Sequence, residues 1–250
     1  EDVHVIRFAR SLREAGVTTP IILLAYDNKE RKELVTSYDT SIFEQIFLWQ
    51  GDYRLLIGII KYLEDRLNVD NDTRAVGVQS IILVEDSVQF YSMYLPLIYT
   101  EILNQSQRLI SEGVNITHRF LRMRARPKIL LCTTFEEAWA YYEKYEEYIL
   151  GIISDVNFKR NGVKDPDAGF SFARTVRSRH ADISILLQSS NVEYEERARQ
   201  IGATFLQKGS PRLLFNLRKF MLDNFGFGDF VFRTPDGIEV GRATDLKSLE

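Results

Sequence analysis

The chain has 250 residues, 45% hydrophobic and 27% charged, with a formal net charge of −3. This composition fits one or two folded domains with ordinary cores, and nothing in the overall charge calls for nucleic acid or an anionic membrane as partner. Cys132 is the one cysteine, which excludes an internal disulfide, fits a reducing cytoplasm and, with three histidines, leaves no zinc set.

No apolar run is long enough to cross a bilayer, since Leu95–Leu103 is cut by Pro96, Thr100 and Glu101. No signal peptide is visible. The chain opens on Glu1 and stops at Ser248-Leu249-Glu250, which reads as the start of a helix, so a longer parent protein is expected.

In chain order, residues 1–73 give a helix around Phe8-Ala9-Arg10, a strand Ile21–Leu24, a strand around Phe47-Leu48 and a helix from Asp52 to about Leu67. From Ser80 onward, apolar runs of strand length alternate with amphipathic runs of helix length, the pattern of a parallel α/β sheet. Ser80–Val84 is a strand ending at Glu85-Asp86, followed by a long helical stretch from about Ser87 to Arg126 that Pro127 ends. Lys128–Cys132 is the next strand. Thr134-Phe-Glu-Glu137 reads as a capping box opening a helix that carries Phe135, Trp139 and Tyr142 on one face.

Leu150–Ser154 is the third strand and runs straight into Asp155. After a polar loop, Asp165-Pro166 reads as an N-cap with Pro at the first helical position, for a helix to about Arg179. Ile183–Gln188 then ends at Ser189, Asn191 caps a helix stopping at Gly202, and Thr204–Gln207 ends at Lys208. Ser210-Pro211 starts a last helix to about Phe225. Phe230–Phe232 and Ile238–Val240 flank Pro235-Asp236-Gly237 as a hairpin.

The expected fold is therefore a doubly wound, five-stranded parallel sheet over residues 79–225. A hairpin extension or linker over 226–250 leads toward a further domain. In such sheets, reactive groups collect beyond the carboxyl ends of the strands. Glu85, Asp86, Asp155, Ser189 and Lys208 all fall there.

Residues 1–73 hold a partial copy of this plan. Phe8-Ala9-Arg10 repeats as Phe172-Ala173-Arg174, and Ile21–Leu24 aligns with Ile185–Gln188. Phe47–Gln50 aligns with Phe205–Lys208, so Ala25 stands where Ser189 does and Gln50 where Lys208 does. The copy lacks the first three strands, which points to missing sequence before Glu1.

The acidic pair, the Asp, the hydroxyl and the Lys at successive strand ends resemble the response-regulator receiver family. The resemblance covers residues 79–225, with 1–73 as a degenerate partial receiver-like domain. It implies that Asp155 is a phosphoacceptor. Glu85, Asp86, Asp155 and the Asn157 backbone carbonyl would hold Mg²⁺, whose preference for oxygen ligands suits that set. Ser189 and Lys208 would bind the phosphoryl group, and Phe205 would be the switch aromatic. The implied donor is a histidine kinase or a histidine phosphotransfer protein, and the implied reader a downstream effector domain, with a homodimer as a further partner.

Three features depart from the family pattern: the 69-position separation of Asp86 and Asp155, Gly209 in place of a Pro, and the long loop Phe158–Asp167. The whole arrangement also resembles the N-terminal regulatory region of bacterial phosphoenolpyruvate synthase-type or pyruvate phosphate dikinase-type multidomain proteins. The long first helix and the segment FGFGDFVFR carry that second resemblance.

Alternatives stand beside this reading. The degenerate first half suits a non-phosphorylated interaction or dimerisation module. A haloacid dehalogenase-type enzyme would need a carboxylate where Asn157 stands, and no Gly-rich loop follows Val84 for a dinucleotide. His118 reads as a surface residue, Arg119, Arg122, Arg124 and Arg126 as a solvated helix end or a docking patch, and the tyrosines Tyr141, Tyr142, Tyr145 and Tyr148 as packing.

Overall fold

The computed structural model describes residues 4–111, 126–225, 230–234 and 238–243. Helix α1 (Val5–Glu14), strand β1 (Ile22–Ala25), helix α2 (Asn28–Ser37), strand β2 (Gln45–Leu48) and helix α3 (Arg54–Val76) open the chain. β1 and β2 pair in parallel as a two-stranded sheet. Asp27 caps α2, its carboxylate accepting from the Lys29 and Glu30 amides.

α3 runs nine residues past the expected stop near Leu67. The run Asn68–Thr73 is polar apart from Val69, but it continues the helix, which buries Val69 and Thr73 and turns the residues between them toward water. The helix ends where Gly77 adopts φ 71°, a left-handed cap that glycine takes without strain.

Next come β3 (Ser80–Val84), α4 (Val88–Ser111), β4 (Lys128–Cys132), α5 (Phe135–Tyr145) and β5 (Ile149–Asp155). A small hairpin follows, β6 (Phe158–Arg160) with β7 (Val163–Asp165), then α6 (Ala168–Arg179), β8 (Ser184–Ser189), α7 (Tyr194–Gln200), β9 (Thr204–Gln207) and α8 (Leu213–Asn224). β10 (Phe230–Arg233) and β11 (Glu239–Ala243) form the expected antiparallel hairpin.

The main sheet has five parallel strands in the order β4-β3-β5-β8-β9. Numbered among themselves these are 2-1-3-4-5, the doubly wound flavodoxin-like order. β3 is buried along its whole length, as a central strand covered on both faces must be. The order reverses between β3 and β5, so the crevice that such sheets offer a ligand opens beyond Val84 and Ser154.

Two local expectations are corrected. The loop Phe158–Asp167 contains the hairpin, turned by Asn161 (φ 52°) and Gly162 (φ 77°). Two successive left-handed residues give the turn that matches strand twist, which explains the Asn-Gly pair. Asp165 therefore ends β7, and Asp167 is the residue before α6. In the capping box, Thr134 Oγ1 accepts from the Glu137 amide at 3.2 Å, but Glu137 reaches back to the Thr133 amide at 2.7 Å rather than to Thr134.

The core lies on both faces of the sheet. On one face, α5 and α6 bury Tyr142, Phe170 and Phe172 against Ile82, Val84, Ile152 and Leu187. On the other, α4 and α8 bury Tyr94, Leu95, Ile98 and Leu217, and this cluster continues without a break into Ala25, Phe47, Leu55 and Tyr62. The two halves of the chain thus share a core, with α4 between them. The Leu48 amide donates to Ser92 Oγ at 3.0 Å, and the Tyr91 hydroxyl donates to the Ile46 carbonyl.

Asp65 of α3 is fully buried at the same junction. One of its oxygens accepts from the Tyr99 hydroxyl and from the Ile129 amide, both at 2.8 Å. The other faces Lys61 at 3.2 Å and Lys128 at 3.5 Å. One carboxylate thus ties α3, α4 and β4 together, and burial still pushes its pKa up against the pull of Lys61.

Tyr142 and Tyr145 pack inward, in keeping with the packing reading of that run. His118, Arg119, Arg122 and Arg124 lie outside the described residues, as does part of the FGFGDFVFR segment. Among the described residues no helix is long and apolar enough to cross a membrane.

Candidate functional site

β3 delivers Glu85, whose amide still donates to the Cys132 carbonyl at 2.9 Å, so the residue leaves the sheet from a fixed position. Its side chain is fully buried, and Oε1 accepts from the Ser87 amide at 3.1 Å, just before α4. Asp86, the next residue, is half-buried. β5 delivers Asp155, 7% exposed, as the last residue of its strand. Carboxylate oxygens of Glu85, Asp86 and Asp155 all lie within 4.8 Å of one another.

Lys208 crosses the crevice from the end of β9. Its amide donates to the Ser189 carbonyl at 2.9 Å, and its ammonium lies 2.7 Å from Asp155 Oδ2 and 2.6 Å from Glu85 Oε2. The Phe90 ring, in the first turn of α4, covers the ammonium at 4.5 Å from its centroid. A cation held between two carboxylates and a ring face is stabilised by both charge and quadrupole.

Gly209, the residue after Lys208, does not disturb this reach. No cis peptide occurs among the described residues.

Burial pushes the Glu85 carboxyl up to about 7; Lys208 opposes the shift and the Asp155 charge adds to it. The Tyr94 hydroxyl, buried beneath the site, is raised for the same reason.

Ser189 ends β8 and is 8% exposed. It stands one position beyond Gln188, the register partner of Asp155, and its Oγ accepts from the Asn191 amide at 3.2 Å. Phe205 is partly buried against the core face lined by α5 and α6. The chain thus brings Glu85, Asp86, Asp155 and Lys208 together, places Ser189 on the adjoining strand end, and packs Phe205 against the core.

Asn157 is exposed, and its carbonyl faces Lys164, which was read as part of a polar loop. The Lys164 ammonium lies 3.0 and 2.9 Å from the two oxygens of Asp86 and 3.3 Å from the Asn157 carbonyl oxygen. The signal for it was available: Asn-Gly between two short β-prone runs marks a hairpin and turns Lys164 from a loop charge into a strand residue. Gly169 is the other residue missed. A Cβ there would fall 2.3 Å from the Asp155 carbonyl oxygen.

Three carboxylates and a backbone carbonyl form an all-oxygen donor set of the kind Mg²⁺ takes. Glu85 Oε2 is fully enclosed and faces the Lys208 ammonium at 2.6 Å, so the donor set already holds positive charge at this point. The residues present therefore fit a divalent ion held by Glu85, Asp86, Asp155 and the Asn157 carbonyl.

Among solved structures, a response regulator receiver domain protein from Clostridium thermocellum is similar at 14% identity, over 60% of this chain and 95% of that chain, with a TM-score of 0.35. No protein-family model and no curated protein matches the chain. The doubly wound α/β class follows from the strand order rather than from this likeness.

Proposed function

We propose that residues 79–225 accept a phosphoryl group on Asp155 and act as the switch of a phosphorelay signalling protein. The observation that carries this reading is the Lys208 ammonium 2.7 Å from Asp155 Oδ2, at the point where the strand order reverses, with Glu85 and Asp86 beside it. A carboxylate fixed on one oxygen by an ammonium leaves its other oxygen to attack phosphorus. The P–N bond of a phosphohistidine donor breaks, its electron pair stays on the imidazole, and an acyl phosphate forms on Asp155.

When bound, Mg²⁺ would supply the neutralising charge that lets an anionic donor approach three carboxylates. Lys208 then pairs with a phosphoryl oxygen, and the Ser189 hydroxyl donates to another. The added charge of roughly −1.5 to −2 draws Ser189 inward, and Phe205 turns into the vacated space. The changed surface of α7 and β9 is what a downstream effector domain reads.

In the same reading, residues 1–73 are a degenerate receiver-like segment, since Ala25 offers no hydroxyl and Gln50 no charge. Residues 226–250 lead into a further domain, which the second resemblance would make a phosphoenolpyruvate synthase-type or pyruvate phosphate dikinase-type one.

A second reading, a non-phosphorylated interaction module, draws on one observation. Two ammonium groups, Lys208 and Lys164, already counter the three carboxylates.

One experiment separates the two. The chain and Asp155→Asn are incubated with acetyl phosphate, with and without Mg²⁺, and their intact masses are measured. A Mg²⁺-dependent gain of one phosphoryl group that Asp155→Asn lacks is the expected result. No gain in folded, Mg²⁺-binding protein would replace the phosphoacceptor reading with the interaction module.

A further inference from the structure

The β6–β7 hairpin is an addition to the sheet plan: its turn is held at the start of α5 by the Asn161 amide donating to Glu136, and its second strand brings Lys164 to the crevice. Lys164 lies directly opposite Lys159 in the hairpin register. Two like charges facing each other across a strand pair repel, so the hairpin gains nothing internally from a lysine at this position. What Lys164 touches instead is Asp86, on both oxygens, and the Asn157 carbonyl. Those are two of the groups that fit a divalent ion. An ammonium group makes the same demand as a metal, positive charge among oxygen donors, and two cations cannot share so small a space.

We infer that Lys164 is a tethered counter-cation at the divalent position, so that an ion can bind only as Lys164 withdraws. The inference rests on the metal-assisted phosphoacceptor reading of the site. Withdrawal is easy, because the Lys164 side chain is 57% exposed and leaves into water. The hairpin therefore sets how tightly the site holds its ion and keeps Asp86 paired when the ion is absent. Since an exposed pair contributes little, removing the ammonium changes ion affinity by about threefold to tenfold rather than by orders of magnitude.

The test uses Mn²⁺, which takes the same oxygen ligands, with free ion counted by electron paramagnetic resonance. The full chain is compared with Lys164→Gln, Lys164→Met and Lys144→Gln. Lys144 pairs with Asp70 away from the crevice, so its variant carries the same loss of charge. Circular dichroism confirms folding.

The expected result is Mn²⁺ bound about threefold to tenfold more tightly by both Lys164 variants, and unchanged by Lys144→Gln. Equal or weaker binding in the Lys164 variants overturns the inference, as does equal tightening in Lys144→Gln. If all four chains bind alike and acetyl phosphate still labels Asp155, the phosphoacceptor reading stands and only the role of Lys164 falls. If none binds Mn²⁺, both fall.

Discussion

Gly169 stands directly behind Asp155: a Cβ at this glycine would lie 2.3 Å from the Asp155 carbonyl oxygen and 2.7 Å from Val156 Cα. The Gly169 amide donates to the Val156 carbonyl at 2.9 Å, so the first turn of α6 leans on the end of β5. Both obstacles to a side chain are backbone and neither can rotate away. Gly169→Ala should destabilise the protein by about 1–3 kcal/mol, as overpacking does. It should also weaken Mn²⁺ binding, because the displaced strand end carries Asp155. Gly209→Ala is the control, since nothing lies within 4 Å of the added methyl; it should stay within about 0.5 kcal/mol of the parent. Urea unfolding of the two variants checks the contrast.

Removing the ammonium that joins Glu85 to Asp155 should be expensive. Lys208→Met leaves two buried carboxylates facing each other and should cost about 3–5 kcal/mol near pH 8. Divalent ions should restore part of that loss. Chemical unfolding with EDTA and with Mn²⁺ measures both effects, and a loss below about 1 kcal/mol would mean that the ion pair is screened by water.

Glu85 gives a pH signature. Its folded pKa is raised to about 7, so the favourable share of its contribution is present below the ordinary carboxylate range and is lost as pH rises toward 7. Gln resembles the protonated acid and does not titrate. The stability of Glu85→Gln relative to the parent, measured in EDTA, should therefore improve between about pH 5 and pH 8. A difference that stays flat across that range would show that the buried carboxyl is ionised throughout.

Asp65 should prove the most sensitive position outside the crevice. Asp65→Ala strands the Tyr99 hydroxyl and the Ile129 amide, which meet at this carboxylate, while Lys128 keeps Asp72 at 2.7 Å. The expected loss is about 3–5 kcal/mol. Since Asp65 joins α3 to α4 and β4, protease sensitivity should rise first within residues 4–76. Limited proteolysis followed by mass mapping locates the first cuts.

The strands of the main sheet were legible because each is an apolar run closed by polar residues, and period and length suffice to place such runs. Glu85, Asp86, Asp155 and Lys208 were legible because topology forces the carboxyl ends of parallel strands to one edge. Lys164 was not, because its role depends on a hairpin direction that only the Asn161-Gly162 turn specifies. Gly169 escaped notice because a glycine in the first turn of a helix carries no sign of what stands behind it. The far third of α3 was misread because its buried positions, Val69 and Thr73, are outnumbered by acidic and amide residues facing water.

Over its described side chains, Val88 to Gln107, α4 offers little free surface. Between Val88 and Gln107 only Gln89, Asn104 and Gln107 are exposed, because the sheet covers one side and α3 with β2 covers the other. Its first turn also places Phe90 over Lys208. The helix is thus a wall shared by two rooms: Phe90 faces the crevice on one side, and on the other Ser92 and Tyr91 grip strand β2.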